Sequence, residues 1–432
     1  MDPECWNTGR SEMLRRLSVD DVPTTRRDPV DRNTLSTAAA IVDRVRDGGE
    51  EELRRLAERF GDLEPGQPLV YLRGDLEATI SDMEPEVLAL LERTADRIAA
   101  FAGAQRRSLA DLEVPVQGGT AGHTCAPVER AGCYAPGGRY PLPSSVLMTA
   151  VTARAAGVAE VWVASPRPAA VTLAAAAIAG ADAVLTVGGA HAIAALAYGA
   201  GPVPSCDVVV GPGNRWVTAG KRLVAGDVGI DMLAGPSELV VLADDSADPT
   251  IIAADLLAQA EHDPDALPVL VTPSPQLLDA VDAELERQLA DLPTKGIAAA
   301  ALDHGFAVLA DDLDACVRVC DSLAPEHLQV LTDSAHAAAE RLSHWGGLFI
   351  GIESAEVFGD YGVGPNHTLP TGGIARFKGG LSVFDFLRVR TWLKLENGDA
   401  AEDMARDAAA LARLEGLEAH ARAAELRARR NG

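Results

Sequence analysis

Positive charge is scarce in this chain, and lysine is the scarcest of the charged residues. The 432 residues carry 38 Lys and Arg against 63 Asp and Glu, for a formal net charge of −25. Electrostatic repulsion therefore opposes binding to a nucleic-acid backbone or to an anionic membrane surface. Only four lysines occur, and none lies in an apolar motif that would suit Schiff-base chemistry. We expect no nucleic-acid partner and no membrane partner.

Long apolar runs and paired cysteines are also missing. No run reaches the about 18 apolar residues that a membrane-spanning helix needs, and the N-terminus lacks the apolar segment of a secretion signal. The six cysteines follow neither a disulfide framework nor the CxxC spacing of a zinc site. This pattern predicts a reduced, cytoplasmic protein.

Short valine-rich runs alternate with alanine-rich segments through most of the chain. The runs include VWVASP, DVVVGPG, ELVVLADD and LPVLVTP, and each ends in Gly, Pro or Asp. Buried strands that alternate with helices imply right-handed βαβ units and a parallel sheet. Ligands of such sheets collect at the carboxyl ends of the strands. The pattern therefore predicts an α/β protein with its binding sites at those ends.

One helical segment carries several polar residues at its end. In PTIIAADLLAQAEHD, Asp255, Gln259 and His262 have the i, i+4, i+7 spacing that places them on one face of a helix. Such a face either meets water, as on most amphipathic helices, or supplies an amide and an imidazole to a metal ion. The segment alone leaves both interpretations open.

Two further motifs carry residues suited to proton transfer or metal binding. Glu326 and His327 follow a proline and precede the strand LQVLTD. They suit a general base beside a carboxylate that activates water, or a surface pair at a strand entrance. Asp360 and His367 lie in the Gly- and Pro-rich loop FGDYGVGPNHTLPTGG, where such residues either bind zinc or cap turns.

Two glycine-rich loops follow candidate strands. The loops CYAPGGRYPLPSS at 133–145 and VVVGPGNRWVTAGKR at 208–222 could bring backbone N–H groups close to a phosphate, or could simply form tight turns. Neither matches GxGxxG or the Walker A spacing, so neither identifies a nucleotide by itself.

The C-terminal segment is helical, charged on one side and too thin to form a core alone. It is expected to pack on another domain or another subunit. Its motif LEGLEAHARA contains Glu415 and His420, whose spacing of five does not place them on one helix face. A solvated helix is the simplest interpretation of these two residues.

Taken in chain order, CYAPGG, GPGNRWVT, DMLAGPSE, QAEHD, PEHL, GDYGVGPNHTLPTGG, GLSVFDFL and EGLEAHA resemble the histidinol dehydrogenase family. The resemblance runs from about residue 30 to about residue 425, nearly the whole chain. It implies two incomplete Rossmann-like domains with parallel-rich sheets, plus helical N- and C-terminal arms that build an intertwined homodimer. It also implies a zinc-containing enzyme that oxidises L-histidinol to L-histidine through the aldehyde and reduces two NAD.

The family fold, in which one domain is inserted in the other, implies a division of this chain. An N-terminal arm would cover residues 1–29, and a discontinuous larger α/β domain would comprise 30–132 and 240–384. The inserted Rossmann-like NAD-binding domain would cover 133–239, and the helical dimerisation tail 385–432.

The resemblance also assigns the metal and substrate residues. Gln259, His262 and Asp360 resemble zinc ligands, and His420 resembles a fourth ligand contributed by the partner subunit. In this family zinc mainly grips the amine and imidazole nitrogens of the substrate. The implied substrate contacts are Ser237, Gln259, His262, His327, Asp360, His367, Glu415 and His420.

Roles in catalysis and in NAD binding follow from the same resemblance. His327 would take the alcohol proton, and Glu326 would activate water to attack the bound aldehyde. Tyr134, His191 and Asn214 match the NAD contacts of the family, although His191 stands where the family usually has glutamine. A neutral histidine still both donates and accepts hydrogen bonds, so NAD binding is expected to survive this change.

Other reaction classes fit parts of this pattern. The same four-electron oxidation could act on another amino alcohol or polyol, as in paralogues of the superfamily. A zinc hydrolase with Glu326 as base would turn over without NAD. A binding or scaffold protein would have no use for the complete set of ligands and bases. The retained zinc set favours a small-molecule amino alcohol that chelates the metal.

Overall fold

The computed structural model describes residues 12–23, 28–137, 140–396 and 398–428. Fifteen strands occur over these residues: β1 (Arg15–Leu17), β2 (Val70–Leu72), β3 (Leu112–Val116), β4 (Gly119–Pro127), β5 (Arg130–Tyr134), β6 (Glu160–Ala164), β7 (Ala183–Leu185), β8 (Val208–Val210), β9 (Gly229–Ile230), β10 (Glu238–Ala243), β11 (Leu267–Thr272), β12 (Phe306–Leu309), β13 (His327–Leu331), β14 (Gly347–Ile350) and β15 (Leu387–Leu395).

The same described residues form fifteen α-helices: α1 (Arg32–Phe60), α2 (Arg73–Ser81), α3 (Pro85–Ser108), α4 (Pro143–Ala156), α5 (Ala170–Ile178), α6 (Gly189–Tyr198), α7 (Arg215–Val224), α8 (Pro249–Ala260), α9 (Pro275–Asp291), α10 (Lys295–Leu302), α11 (Leu313–Leu323), α12 (Ala335–Ala339), α13 (Glu356–Asp360), α14 (Asp399–Leu414) and α15 (Glu418–Ala428). Short 3-10 helices lie at Val19–Asp21, Ile374–Arg376 and Val383–Phe386. None of the described helices is both long enough and apolar enough to span a membrane.

Two six-stranded sheets confirm the predicted α/β class. The parallel sheet has the order β1-β12-β11-β10-β13-β14, and all its neighbouring strands run parallel. The mixed sheet has the order β2-β7-β6-β5-β8-β9, in which only β2 is antiparallel to its neighbour. Buried valines and leucines fill the central strands on both faces, as expected of sheets covered by helices.

Within the segment 30–132, helix α1 and strand β2 pack on the mixed sheet. Helix α1 packs against α6 and α7, and β2 pairs with β7, so these elements join the mixed sheet and not residues 240–384. The apolar stripe of α1 explains this grouping, because Val42, Val45 and Leu53 share one core with Leu185 and Ile193. The described part of the N-terminal arm adds strand β1 to the parallel sheet, where a helix was expected.

A third sheet, antiparallel with the order β15-β4-β3, connects the tail to the rest of the chain. Strand β15 pairs with β4 along its whole length, from Leu387 opposite Pro127 to Leu395 opposite Gly119. Beyond it, α14 and α15 pack on one another. The five described cysteines are unpaired and buried, in agreement with the absence of a disulfide framework from the sequence.

Gly211 closes the turn after β8 in a conformation that other residues rarely adopt. Its φ is +116°, and an added Cβ would collide with the carbonyl oxygen of Tyr134. We expect Gly211→Ala to lower the free energy of unfolding by about 1–3 kcal/mol for the backbone strain, and by about 1–3 kcal/mol more for the collision. Urea unfolding followed by circular dichroism measures the loss.

Gly226 provides the matched control for this substitution. Its φ is +106°, but an added Cβ would meet nothing within 4 Å. Gly226→Ala should therefore show the strain without the collision. Equal losses for the two variants would contradict the close approach of Gly211 to Tyr134.

Candidate functional site

The polar residues singled out in the sequence lie at the edges of the two large sheets. Tyr134 ends β5, and the turns after β7 and β8 lie at the same carboxyl edge of the mixed sheet. In the parallel sheet, by contrast, Ser237 and Glu326 immediately precede β10 and β13, at the amino edge. The expectation that ligands collect at carboxyl ends therefore applies to the mixed sheet only.

Contacts across the cleft bring the two edges together. Ser145, in the first turn of α4, lies 3.3 Å from Nε2 of His367, which belongs to the loop after α13. Nδ1 of His367 lies 3.0 Å from the carbonyl oxygen of Asp360 and donates to it. The Nε2 atom then accepts from the Ser145 hydroxyl, which fixes the tautomer of His367.

The polar residues of α8 meet protein partners, although His262 beyond its end keeps a side chain that is 44% exposed. Asp255 accepts a hydrogen bond from Gln329 of β13 at 2.7 Å. Gln259 is completely buried and meets the carboxylate of Glu356, as described below. Nε2 of His262, in the turn that follows the helix, lies 3.4 Å from Oδ2 of Asp360. The solvated-face interpretation therefore does not hold for Gln259.

Three side chains from this region form a cluster with the geometry of a metal site. His262, Glu356 and Asp360 each offer one ligand atom, and these atoms lie within 4.8 Å of one another. Glu356 and Asp360 are four residues apart on α13, so they share one face of that short helix. An imidazole with two carboxylates suits zinc or another divalent cation.

The amide of Gln259 completes this cluster. In the orientation that satisfies both neighbours, Nε2 of Gln259 donates to Oε1 of Glu356 at 2.9 Å, and Oε1 of Gln259 lies 3.0 Å from the Ser237 hydroxyl. Ser237 also donates to Oε2 of Glu326 at 2.5 Å. Because Ser237 has one hydroxyl proton, it serves one of these acceptors at a time.

Contacts within the cluster and burial shift the pKa values of its three residues. The hydrogen bond with Asp360 raises the pKa of His262 above its usual value. Burial acts to raise the pKa of Asp360, but the hydrogen bond with His262 and the nearby imidazoles outweigh it, so that pKa is lowered. Burial and the charges of Asp360 and Glu326 hold the pKa of Glu356 well above its usual value. A bound cation would favour the ionised carboxylates.

Glu326 and His327 lie beside this cluster because β13 pairs with β10. His327 is opposite Leu239 in the parallel ladder, so both residues meet the start of β10. Oε2 of Glu326 accepts from the backbone N–H of Glu238 at 2.8 Å, in addition to the Ser237 hydroxyl. Both bonds end on Oε2, so Oε1 is the atom that a water molecule can use.

A hydrogen bond fixes His327 in the tautomer whose Nε2 can act as a base. Its Nδ1 lies 3.0 Å from the carbonyl oxygen of Glu238 and donates to it. Nε2 therefore carries the lone pair, and it lies 3.8 Å from Oδ1 of Asp360. The ring of Phe349 packs against the imidazole, with 6.0 Å between ring centroids. This residue can accept a proton from a group bound at the metal cluster.

Burial changes the pKa of both residues. It raises the pKa of the Glu326 carboxyl to about 8, against the opposing hydrogen bonds from Ser237 and Glu238. It lowers the pKa of His327, although the charge of Asp360 opposes the shift. His327 therefore stays neutral near pH 7, and Glu326 gains basicity when ionised. Two bases with shifted pKa values in one cleft are typical of an active site.

The three predicted NAD contacts lie at the carboxyl edge of the mixed sheet. The Tyr134 hydroxyl accepts from the N–H of Gly189, at the start of α6. Asn214 is exposed at the N-terminus of α7, where its Oδ1 accepts from the N–H groups of Trp216 and Val217. The sheet order changes direction between β5 and β8, and this switch point is where dinucleotides bind in such sheets.

His191 is engaged with a residue that sequence reasoning missed. Its side chain is almost fully buried, and Nε2 lies 3.0 Å from Oδ2 of Asp62, which also accepts from the N–H of Gly188. A neutral His191 that donates from Nε2 presents only an acceptor at Nδ1. A glutamine side chain would offer a ligand both a hydrogen-bond donor and an acceptor. With histidine, position 191 offers only the acceptor.

Glu415 and His420 do not join the cluster within one chain. Both side chains are exposed on the C-terminal tail. Among the described residues, the group that could hold a metal comprises His262, Glu356 and Asp360. The exposed apolar side chains around Glu415 and His420 are Leu411, Leu414 and Leu417, of which Leu414 is 86% exposed.

Glu356 and Asp62 are the site residues that the sequence did not reveal. Glu356 lies four residues before Asp360, a spacing that could have drawn notice if the short α13 had been foreseen. Asp62 follows the end of α1 and meets His191 across 129 positions of sequence, for which no local signal exists. Only the packing of the mixed sheet brings Asp62 and His191 together.

Comparisons with known proteins agree on one family. The family model described as histidinol dehydrogenase matches residues 24–428. The histidinol dehydrogenase of Thermus thermophilus is 47% identical over 392 residues, which cover 90% of this chain and 93% of that protein. That of Parasynechococcus marenigrum is 45% identical over 387 residues, with 88% of each chain covered.

A solved structure has the same fold. The crystal structure of histidinol dehydrogenase from Elizabethkingia anophelis superposes with a TM-score of 0.90 and 28% identity, and the match covers 97% of this chain and 98% of that one. The two incomplete Rossmann-like sheets and the tail described above are therefore those of a known architecture.

Proposed function

This chain belongs to the histidinol dehydrogenase family, and from that premise we propose that it oxidises L-histidinol to L-histidine, through L-histidinal, with bound zinc and two NAD. Members of the family are oxidoreductases of histidine biosynthesis. The observation that carries the proposal is the neutral His327, whose Nε2 lies beside Asp360 of the metal-type cluster. A proton acceptor next to a cation site is what the oxidation of a chelating alcohol requires.

The donor set fits zinc. His262 and Asp360 provide an imidazole nitrogen and a carboxylate oxygen, and Gln259 provides an amide oxygen that lies 3.0 Å from the Ser237 hydroxyl. The partner's His420 would be the fourth ligand. Bound zinc would hold the amine and imidazole nitrogens of the substrate and so orient the alcohol. Ser237 and His367 line the same space, and the partner's Glu415 would contact the substrate amine.

The carboxyl edge of the mixed sheet fits NAD. The N-termini of α6 and α7 supply backbone N–H groups, and Asn214 retains its Nδ2 as a donor. Tyr134 and His191 flank the turn between β7 and α6. When bound, NAD accepts the hydride in each of the two oxidation steps. The cleft contact between Ser145 and His367 places this edge next to the metal-type cluster.

The two bases divide the proton chemistry. His327 takes the hydroxyl proton at Nε2 while its Nδ1–H stays on the Glu238 carbonyl. Glu326 takes a proton from water at Oε1, and the resulting hydroxide adds to the aldehyde carbon. The aldehyde hydrate then loses its hydride in the second step. Keeping the aldehyde bound between the steps prevents its escape to solvent.

A homodimer would complete the site. Glu415 and His420 lie on the exposed tail, surrounded by exposed leucines that a second copy would cover. In a two-fold dimer the tail of each subunit reaches the cluster of the other. We also propose a cytoplasmic location, which suits the unpaired buried cysteines.

Counting NADH tests this function. With zinc-loaded protein and excess NAD, we expect two NADH per L-histidinol consumed, and L-histidine as the product. A chelator should abolish turnover, and added zinc should restore it, because the substrate is held through the metal.

Other results would redirect the proposal. One NADH per alcohol would contradict the four-electron reaction, and turnover without NAD would indicate a hydrolase. No turnover of L-histidinol by protein that binds both zinc and NAD would indicate a paralogue for another amino alcohol. A panel of such alcohols would then identify the substrate.

A further inference from the structure

We propose that Glu356 is a positioning residue, which holds the amide nitrogen of Gln259 so that the amide oxygen points away from Glu356, toward Ser237, and stays available to the metal. The inference rests on the proposed zinc function and assigns a role to a residue outside the ligand set named above. Glu356 would act through Gln259 and not as a ligand itself.

The geometry of the pair supports this role. Gln259 is fully buried and Glu356 is 3% exposed, so neither side chain has water as a substitute partner. In the amide orientation that satisfies both neighbours, Nε2 of Gln259 lies 2.9 Å and 3.3 Å from the two oxygens of Glu356. Both oxygens therefore face the same amide nitrogen, as they would if the carboxylate accepts from it.

The amide needs such a partner because its two ends are opposite in polarity. A metal ion binds the amide oxygen, whereas the NH2 end repels it. A rotation of 180° about the last side-chain bond exchanges the two ends at almost no steric cost. A hydrogen-bond acceptor beside the amide nitrogen lowers the free energy of one orientation relative to the other. Residues that hydrogen-bond to metal ligands commonly orient them in this way.

The short helix α13 gives Glu356 a position separate from that of the ligand Asp360. The two residues share one face, one turn apart. Asp360 pairs with His262 at 3.4 Å, while Glu356 pairs with Gln259. Helix α13 thus presents one carboxylate to each of the two residues at the end of α8.

Direct ligation by Glu356 is the competing explanation, since its carboxylate lies within reach of the cluster. A double-mutant cycle separates the two. If Glu356 acts through Gln259, its removal has no further effect once the amide is gone. If Glu356 binds the metal itself, the two losses add.

The test measures zinc affinity of the full-length apoprotein by competition with a chromophoric chelator. We expect Glu356→Gln, which keeps the shape but not a fixed acceptor, to weaken zinc binding about 10- to 100-fold. Gln259→Leu should weaken it as well, and the double variant should bind no more weakly than Gln259→Leu alone. The visible spectrum of the cobalt(II) form should change in Glu356→Gln, since it reports the ligand set.

Three outcomes would overturn the inference. They are unchanged zinc affinity in Glu356→Gln, an additive loss in the double variant, and an unchanged cobalt spectrum. Glu356→Met replaces Glu356→Gln if the latter fails to fold by circular dichroism. The measurement needs neither L-histidinol nor NAD, so it is independent of which alcohol is oxidised. Native protein that binds no zinc would overturn the proposed function as well.

Discussion

Glu326→Gln should stop the reaction at the aldehyde. Glutamine preserves the shape of the side chain and can still accept from the Ser237 hydroxyl and the Glu238 N–H, but it cannot take a proton from water. We expect oxidation of supplied L-histidinal to fall about 10²- to 10⁴-fold, the usual contribution of a general base. Oxidation of L-histidinol to the aldehyde, for which we propose His327 as the base, should fall much less.

The pH dependence of aldehyde oxidation provides a second test of the role of Glu326. Burial raises the pKa of Glu326 to about 8, so the carboxylate, which is the active form, is lost as pH falls through about 8. The rate of aldehyde oxidation should therefore decline below that pH in the native protein. Glu326→Gln should lack this decline, because it has no proton to gain.

Stopped-flow measurement of NADH, starting from the alcohol or from the aldehyde, checks both statements. Glu353→Gln is the matched control, since Glu353 is an exposed carboxylate that lines the same cleft. It should behave as the native protein does. Equal losses in the two half-reactions of Glu326→Gln would show that Glu326 does not act on water.

His327→Asn and His420→Asn should each be almost inactive, yet regain activity when mixed. The first variant lacks the base that takes the alcohol proton, which costs about 10²- to 10⁴-fold in rate. The second variant lacks His420, which we propose as the zinc ligand supplied by the partner subunit. In a hybrid dimer, one site combines an intact His327 with an intact partner's His420, and the other site carries both defects.

Random reassociation makes half of the dimers hybrid, with one working site each, so about a quarter of the native activity should return. The variants are unfolded together in urea, refolded, and assayed for formation of L-histidine, which requires both oxidation steps. A mixture of His327→Asn and Glu326→Gln is the control: both defects lie in one body, so no hybrid site is complete. Recovery in the control mixture, or none in the first mixture, would contradict a site shared across subunits.

Much of the α/β architecture and of the site was accessible from the sequence. Valine-rich runs between helical segments predicted parallel-rich sheets, because buried parallel strands are apolar on both faces. The spacing of Asp255, Gln259 and His262 placed them on one face. The ordered motifs, through the family they resemble, supplied the candidate roles of Glu326 and His327.

Other features depended on contacts between distant segments. Helical periodicity shows that α1 has an apolar stripe but not that α6 and α7 on the mixed sheet will cover it. The contact of His191 with Asp62 alters the hydrogen-bonding groups that this position offers to a ligand, and it joins residues 129 positions apart.

The sequence by itself determined local conformation and the chemical types of the site residues, since both follow from patterns within a few turns of chain. Tertiary structure alone decided that Glu356 faces Gln259, that His327 donates from Nδ1 and keeps Nε2 as base, and that His420 lies outside the cluster of its own chain. The physical reason is that the donor or acceptor role of a side chain, and its burial, depend on which other residues it contacts. Many such contacts are compatible with the local sequence, and the packing of whole sheets and helices decides which of them form.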